Sequence, residues 1–237
     1  MLPMYNVTTS IDGAEFVRKK FTEELGRRHY TVMDTAEVNS ILQEQTGISL
    51  GSQLEMITPE VLGEILGVDA LVYGYLLDFN DITLGIYNAR VVRAGFKMVD
   101  TSTGKVLWSR GKGMKFVIVA EDIGIVAAIA KEIIDRGGSN DLDKIHGIED
   151  IDGLTDWSIV PIEAEKVSEA AIWSVGSMVV TKAFGVHLHH EASLMVKAVV
   201  RGLPVGPGQL ENQVEGQVEN QDNGKNESSV IIKKKED

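Results

Sequence analysis

Cysteine is absent from the 237 residues. That absence excludes disulfides, zinc–thiolate centres, iron–sulfur clusters and cysteine nucleophiles. It leaves the compartment open, because such a chain suits a reducing or an oxidising space. Aromatic residues are scarce, at 6%, so the core must be largely aliphatic. Basic residues are outnumbered by acidic ones, 23 to 35, which gives a formal net charge of −12 and a pI near 4.9. That balance speaks against nucleic acid, whose phosphates need a basic surface, and against unaided binding to anionic lipid. Long apolar runs are missing too. The longest, residues 123–130 and 170–180, fall short of the ~20 apolar residues of a membrane helix. The opening "MLPMYNVTTSIDG" has neither the basic nor the apolar region of a signal peptide.

What is present reads as a folded α/β chain. Hydrophobic residues make up 43% of it, enough for a proper core. In "AEFVRKKFTEELGRR", Val17, Phe21 and Leu25 recur every fourth residue, the spacing of an amphipathic helix ending near Gly26. "HYTVMD" follows as a short strand. Thr35 is placed to cap a second helix that Gly47 terminates, and Thr58-Pro59-Glu60 opens a third that stops at Gly67. "VDALVYGYLLDF" is apolar on both faces, as a central strand should be. In the next strand, about residues 86–100, Val92, Ala94, Phe96 and Met98 point one way and Arg93 and Lys97 the other. This predicts an antiparallel strand with one solvated face. Its partner reads as shorter.

"VDTSTGKVLWS" predicts a hairpin between those strands. Asp100 can accept from amides inside the turn, and Gly104 can take the positive φ that such loops need. Val106 and Trp108 are expected on one face of the returning strand, with Trp108 supplying a large apolar area. These four residues are read as structural, not catalytic. Beyond Phe116, residues 121–136 and 163–184 read as helices, 137–161 as a long acidic insertion, and 191–201 as a last helix broken by "GLPVGPG". From residue 209 the composition is Gln/Asn/Glu-rich, which predicts a disordered tail. The domain reading is therefore 1–116, an α/β sheet domain; 117–208, a helical segment; and 209–237, the tail.

No motif carries a reaction. "VHLHHEAS" spaces His187, His189 and His190 unlike the i, i+4 pair of a helical zinc site. The acids around His146 form no complete calcium loop. "RGKGMK" lacks the pattern of a phosphate loop, and no nucleophile elbow or dinucleotide fingerprint occurs. No catalytic residue, cofactor or metal ligand is assigned.

"LPMYNVT", "TPEVLGEILGVDALVYGYLLDF" and "FKMVDTSTGKVLWS", with "LPVGPG" further on, resemble the GNA-type lipoproteins of bacterial envelopes, a family of unknown biochemical function. The resemblance implies a mixed central sheet flanked by helices, related to the folds of CsgG and the TolB amino-terminal domain. It implies a non-enzymatic envelope component acting through contacts with other envelope proteins, periplasmic and outer-membrane associated. It implies membrane attachment only through a lipid anchor, and it leaves homo-oligomer formation open. In the related family an apolar strand and a lipidated cysteine precede the "LP" segment, so both are expected upstream of Leu2. A subunit of a CsgG-like secretion apparatus, an unrecognised enzyme or small-ligand binder, and a cytoplasmic location stand as alternatives.

Overall fold

The computed structural model describes residues 1–84, 87–119, 142, 145–163 and 188–207. The sequence-predicted helices over 121–136 and most of 163–184, and the tail, lie outside the described residues. Five strands form one mixed sheet in sequence order: β1 (Tyr5–Asn6), β2 (Ala70–Leu84), β3 (Tyr87–Asp100), β4 (Val106–Val119) and β5 (Trp157–Glu163). β2, β3 and β4 are antiparallel neighbours, while β1 and β5 join the edges in parallel. The partner of β3 is not shorter than it, since β3 and β4 each have 14 residues. The sheet also runs across residue 116, where the sequence reading drew a boundary.

Helices α1 (Ile11–Arg27) and α4 (His189–Val200) pack on the first face of the sheet. Ser10 caps α1 by accepting from the Gly13 N–H at 3.1 Å, and the helix ends at Arg27, next to Gly26. Val17, Phe21 and Leu25 meet Val92, Ala94, Phe96 and Met98 of β3, with Phe21 stacked on Phe96 at 4.1 Å. From α4 come Ala192, Met195, Val196 and Val199. Two further helices, α2 (Thr35–Thr46) and α3 (Pro59–Leu66), form a second cluster with Leu2, Leu54 and Leu71. Asp34, not Thr35, caps α2, because its carboxylate accepts the Ala36 N–H at 2.7 Å. Gly47 and Gly67 end α2 and α3 in the left-handed conformation. Residues 30–33 join no strand ladder. The expected "HYTVMD" strand thus pairs with no other strand among the described residues.

Most of the second face is covered. Residues 145–154 cover it with Ile145, Ile148, Ile151 and Leu154, which pack on Tyr75 and Leu77. The described part of the segment read as an acidic insertion, residues 145–154, is therefore a lid of the sheet that continues into β5. Gly95 and Gly111 are paired across β3 and β4 and form the trough that receives it; a Cβ on Gly95 would stand 2.6 Å from Leu154. Gly113, one rung further, makes room for the Trp157 ring. "RGKGMK" is thus a strand whose glycines are packing notches.

Candidate functional site: two clefts beside the β3–β4 turn

The β3–β4 turn is built as its residues dictate. The Asp100 carboxylate accepts the N–H groups of Ser102 at 3.0 Å and Thr103 at 2.8 Å, and both hydroxyls at 2.7 Å. These bonds, that of the Thr103 hydroxyl foremost, hold its carboxyl below the usual range. Gly104 has φ +66° and donates to the Asp100 carbonyl. Thr101 fastens the turn to the link between α3 and β2: its N–H donates to the Asp69 carbonyl and its hydroxyl to the Val68 carbonyl.

Val106 and Trp108 do not share a face. The ladder slips between Met98 and Val99, so Val99 pairs with Val106 and Met98 with Trp108, leaving Leu107 as an extra residue. A bulge inverts the alternation. Trp108 therefore joins the first face beside Phe21, and its Nε1–H donates to the Gly202 carbonyl at 3.0 Å. Val106 turns to the second face and is 41% exposed.

Each face carries a cleft at this end. The first, of about 570 Å³, lies between residues 30–33 and the start of β2; Leu25, Leu71, Met98, Leu107 and Trp108 line it, with Asp69 and Asp100 among its polar residues. Pro204 and Pro207 of the "LPVGPG" stretch close one side. That stretch is tied to the end of α1. Arg28 donates to the Leu203 carbonyl at 2.7 Å, Tyr30 to Pro204 at 3.1 Å, and the Gly206 N–H to the Arg28 carbonyl. The second cleft, of about 460 Å³, is lined by Tyr5, Tyr73, Tyr75, Lys97, Met56 and Val106 among others. Lys97 Nζ sits 5.6 Å from the centre of the Tyr73 ring. Burial pushes the Tyr73 hydroxyl up to about 12 and Tyr75 higher still. Thus Asp100 and Trp108 border one cleft, Gly104 and Val106 the other.

A buried ionic row, missed in the sequence, crosses the second face. A bulge at Leu77 turns Asp78 inward, and its carboxylate accepts from Arg93 at 2.6 Å. Trp157 lies over both Arg93, 5.2 Å away, and Lys115, 4.5 Å away. Burial raises the Asp78 carboxyl, against the lowering pull of Arg93 and Lys115. Strand alternation across Gly113 was the available signal, since Asp78, Arg93, Gly113 and Trp157 occupy one cross-strand row. Of the flagged histidines, His189 stacks on Phe16 at 3.7 Å and His190 and His146 are exposed. His187 lies outside the described residues.

Fold and clefts define an α/β domain in which a mixed five-stranded sheet is covered on both faces. The chain belongs to the family described as "Putative lipoprotein GNA1162-like", which matches residues 1–154 and so runs through most of the second-face lid. A curated relative from Neisseria meningitidis serogroup B, "Putative lipoprotein NMB1124/NMB1162", is 22% identical over 136 residues, 57% of this chain and 63% of the relative. Among solved structures, lipoprotein GNA1162 from Neisseria meningitidis is similar with a TM-score of 0.46 and 21% identity, over 57% of this chain and 93% of that one. A PelC dodecamer from Paraburkholderia phytofirmans follows at TM-score 0.31 and 17% identity, over 46% of this chain and 62% of that one. The LpoB C-terminal domain from Salmonella enterica stands at 0.29 and 14%, over 47% and 76%.

Proposed function

We propose that this protein is a non-enzymatic component of the bacterial envelope, lipid-anchored and periplasmic, that acts by protein–protein contact through the β3–β4 end of the sheet. One observation carries the reading. Around the turn, Met56 is 82% exposed, Leu107 55% and Val106 41%, and they border two apolar-lined clefts. Large apolar side chains gathered at one end of a strongly acidic molecule are what a protein partner covers. Family membership supports the envelope setting. The secretion-pore alternative has strands of sufficient length, since a barrel strand needs ~9–11 residues. The middle of β3, however, is buried on both faces, with Phe96 on one and Arg93 on the other.

The test is a photo-crosslinking residue at Leu107, introduced in the cell of origin, with a control at the exposed Glu44 on α2. A single envelope protein captured from Leu107 and not from Glu44 is expected. Equal capture from both positions, or none, refutes the reading.

A further inference from the structure

We propose that the second cleft binds a carboxylate borne beside an apolar side chain, and that Lys97 and Tyr75 take this carboxylate at the floor of the cleft. The C-terminal residue of a polypeptide and a free amino acid share that chemistry. The inference goes beyond the contact reading and does not rest on it. That reading stands on exposed apolar residues around the turn, this one on two polar groups within the cleft.

Those groups are donors without partners. Tyr75 is only 6% exposed, yet its hydroxyl has no hydrogen-bond partner among the described residues. Lys97 is half-buried and forms no ion pair among them. Both line the cleft. Position 147 shows how closely they converge. A Cβ there would lie 2.6 Å from the Tyr75 Oη and 3.2 Å from the Lys97 Nζ. Hydroxyl and ammonium therefore stand beside one backbone atom, near enough to serve a single carboxylate group. Gly147, at φ +78°, puts no side chain over them. Burial keeps the Tyr75 hydroxyl protonated, so it donates. A buried polar group that bonds nothing costs stability. An acceptor entering the cleft would satisfy both donors, one of them through a charge-assisted bond.

The surrounding charge selects the acceptor. Among the described lining residues Lys97 is the one lysine or arginine, while Glu55 and Asp150 stand exposed at the rim beside His146. A single ammonium facing two carboxylates suits a singly charged carboxylate and disfavours a phosphate dianion. Leu54, Ile57, Val99 and Val106 supply apolar walls for the side chain next to it. The volume of about 460 Å³ is in the range of cavities that hold a small ligand. Neither Met1 nor Leu2 lines this cleft, so its floor does not depend on what precedes them.

The experiment titrates the isotopically labelled full chain with leucine, N-acetyl-leucine, leucinamide, the tripeptide Ala-Ala-Leu with a free or an amidated C-terminus, and inorganic phosphate. Saturable one-to-one binding of a free acid is expected, with amide shifts at residues 73–75, 97 and 146–150. The matching amide should bind ~10-fold more weakly or worse, because it lacks the charge that Lys97 pairs with. Binding of leucine alone assigns a free amino acid; binding of Ala-Ala-Leu and N-acetyl-leucine assigns a polypeptide C-terminus. Lys97→Met and Tyr75→Phe should each weaken the acid by a similar factor. Tyr75→Phe should melt no lower than the wild type, because the hydroxyl it removes bonds nothing in the fold.

Absence of saturable binding by every acid overturns the proposal, as does equal binding of acids and amides. Phosphate that binds more tightly than the acids overturns it in favour of a phosphate site. Unchanged affinity in either variant places the acid elsewhere and overturns it too. A Tyr75→Phe chain that melts well below the wild type would show that the hydroxyl serves the fold, which removes the unpartnered donor and the proposal with it.

Discussion

Asp100 controls the shape of its turn with one carboxylate, and that control depends on charge. Its folded form holds the carboxyl below the ordinary value of 3.8 through bonds from Thr103 and Ser102. A depressed carboxyl contributes stability that is fully present above the ordinary value and is lost as pH falls through the depressed one. Asp100→Asn removes the charge and keeps an acceptor. At neutral pH the variant should melt below the wild type. The gap should close as melts are repeated into the acid range below 3.8. A gap that stays constant down that series would show that the hydroxyl and amide bonds, not the ionised state, hold the turn. Asp78 behaves in the opposite sense, because burial raises its carboxyl and only Arg93 and Lys115 oppose that.

β4 depends on having almost no side chain at two of its rungs. Gly111 and Gly113 let Leu154 and Trp157 lie directly on the strand, while Lys115, two residues further on, packs under the same indole. A Cβ at Gly113 would fall inside the contact radius of the Trp157 ring. The backbone of a central strand cannot shift to relieve that. Gly113→Ala should therefore cost ~1–3 kcal/mol in a denaturant titration, the range of overpacked cores. Combined with Trp157→Leu, the two costs should fall short of additive, since neighbours that share a contact couple. Strict additivity would mean that the ring and the glycine do not meet.

Early and late parts of the chain are closed onto one another at a few points. α1 and α4 share the first face, Arg28 holds the Leu203 carbonyl, and Trp108 donates to Gly202. The Arg90 guanidinium reaches the buried Glu191 of α4 at 2.8 Å, which ties α4 to β3. Trp108→Phe keeps a ring beside Phe21 and deletes the bond to Gly202 together with the packing of the indole's second ring. A loss above ~0.5–1.5 kcal/mol, the net worth of one hydrogen bond, is expected. Amide exchange should quicken at residues 201–206 without change in α2. Exchange that quickens throughout would mean that the indole supports the whole core instead of fastening this segment.

Local chemistry made α1 legible, because Val17, Phe21 and Leu25 recur with helical period, whereas the Ser10 cap showed only in the structure. It made the turn legible, because Asp100 and Gly104 are the residue types that a tight loop selects. The blocks around residues 58–79 and 96–109 carried the family. None of these needs a partner distant in sequence. The second face did need one. Arg93 looks solvated until Trp157 is laid over it, and Lys97 until residues 146–150 close beside it, although the spacing of Ile145, Ile148, Ile151 and Leu154 was there to be read. Bulges at Leu77 and Leu107 were invisible for a related reason. Inserting one residue inverts every later side chain, and only the register against a neighbouring strand reveals it. Residues 30–33 have the composition of a strand, but pairing is a property of two segments. The clefts are tertiary for the same reason: Asp100 and Trp108 were singled out for the turn, and the approach of the distant Pro204 and of residues 30–33 made them walls of a cavity.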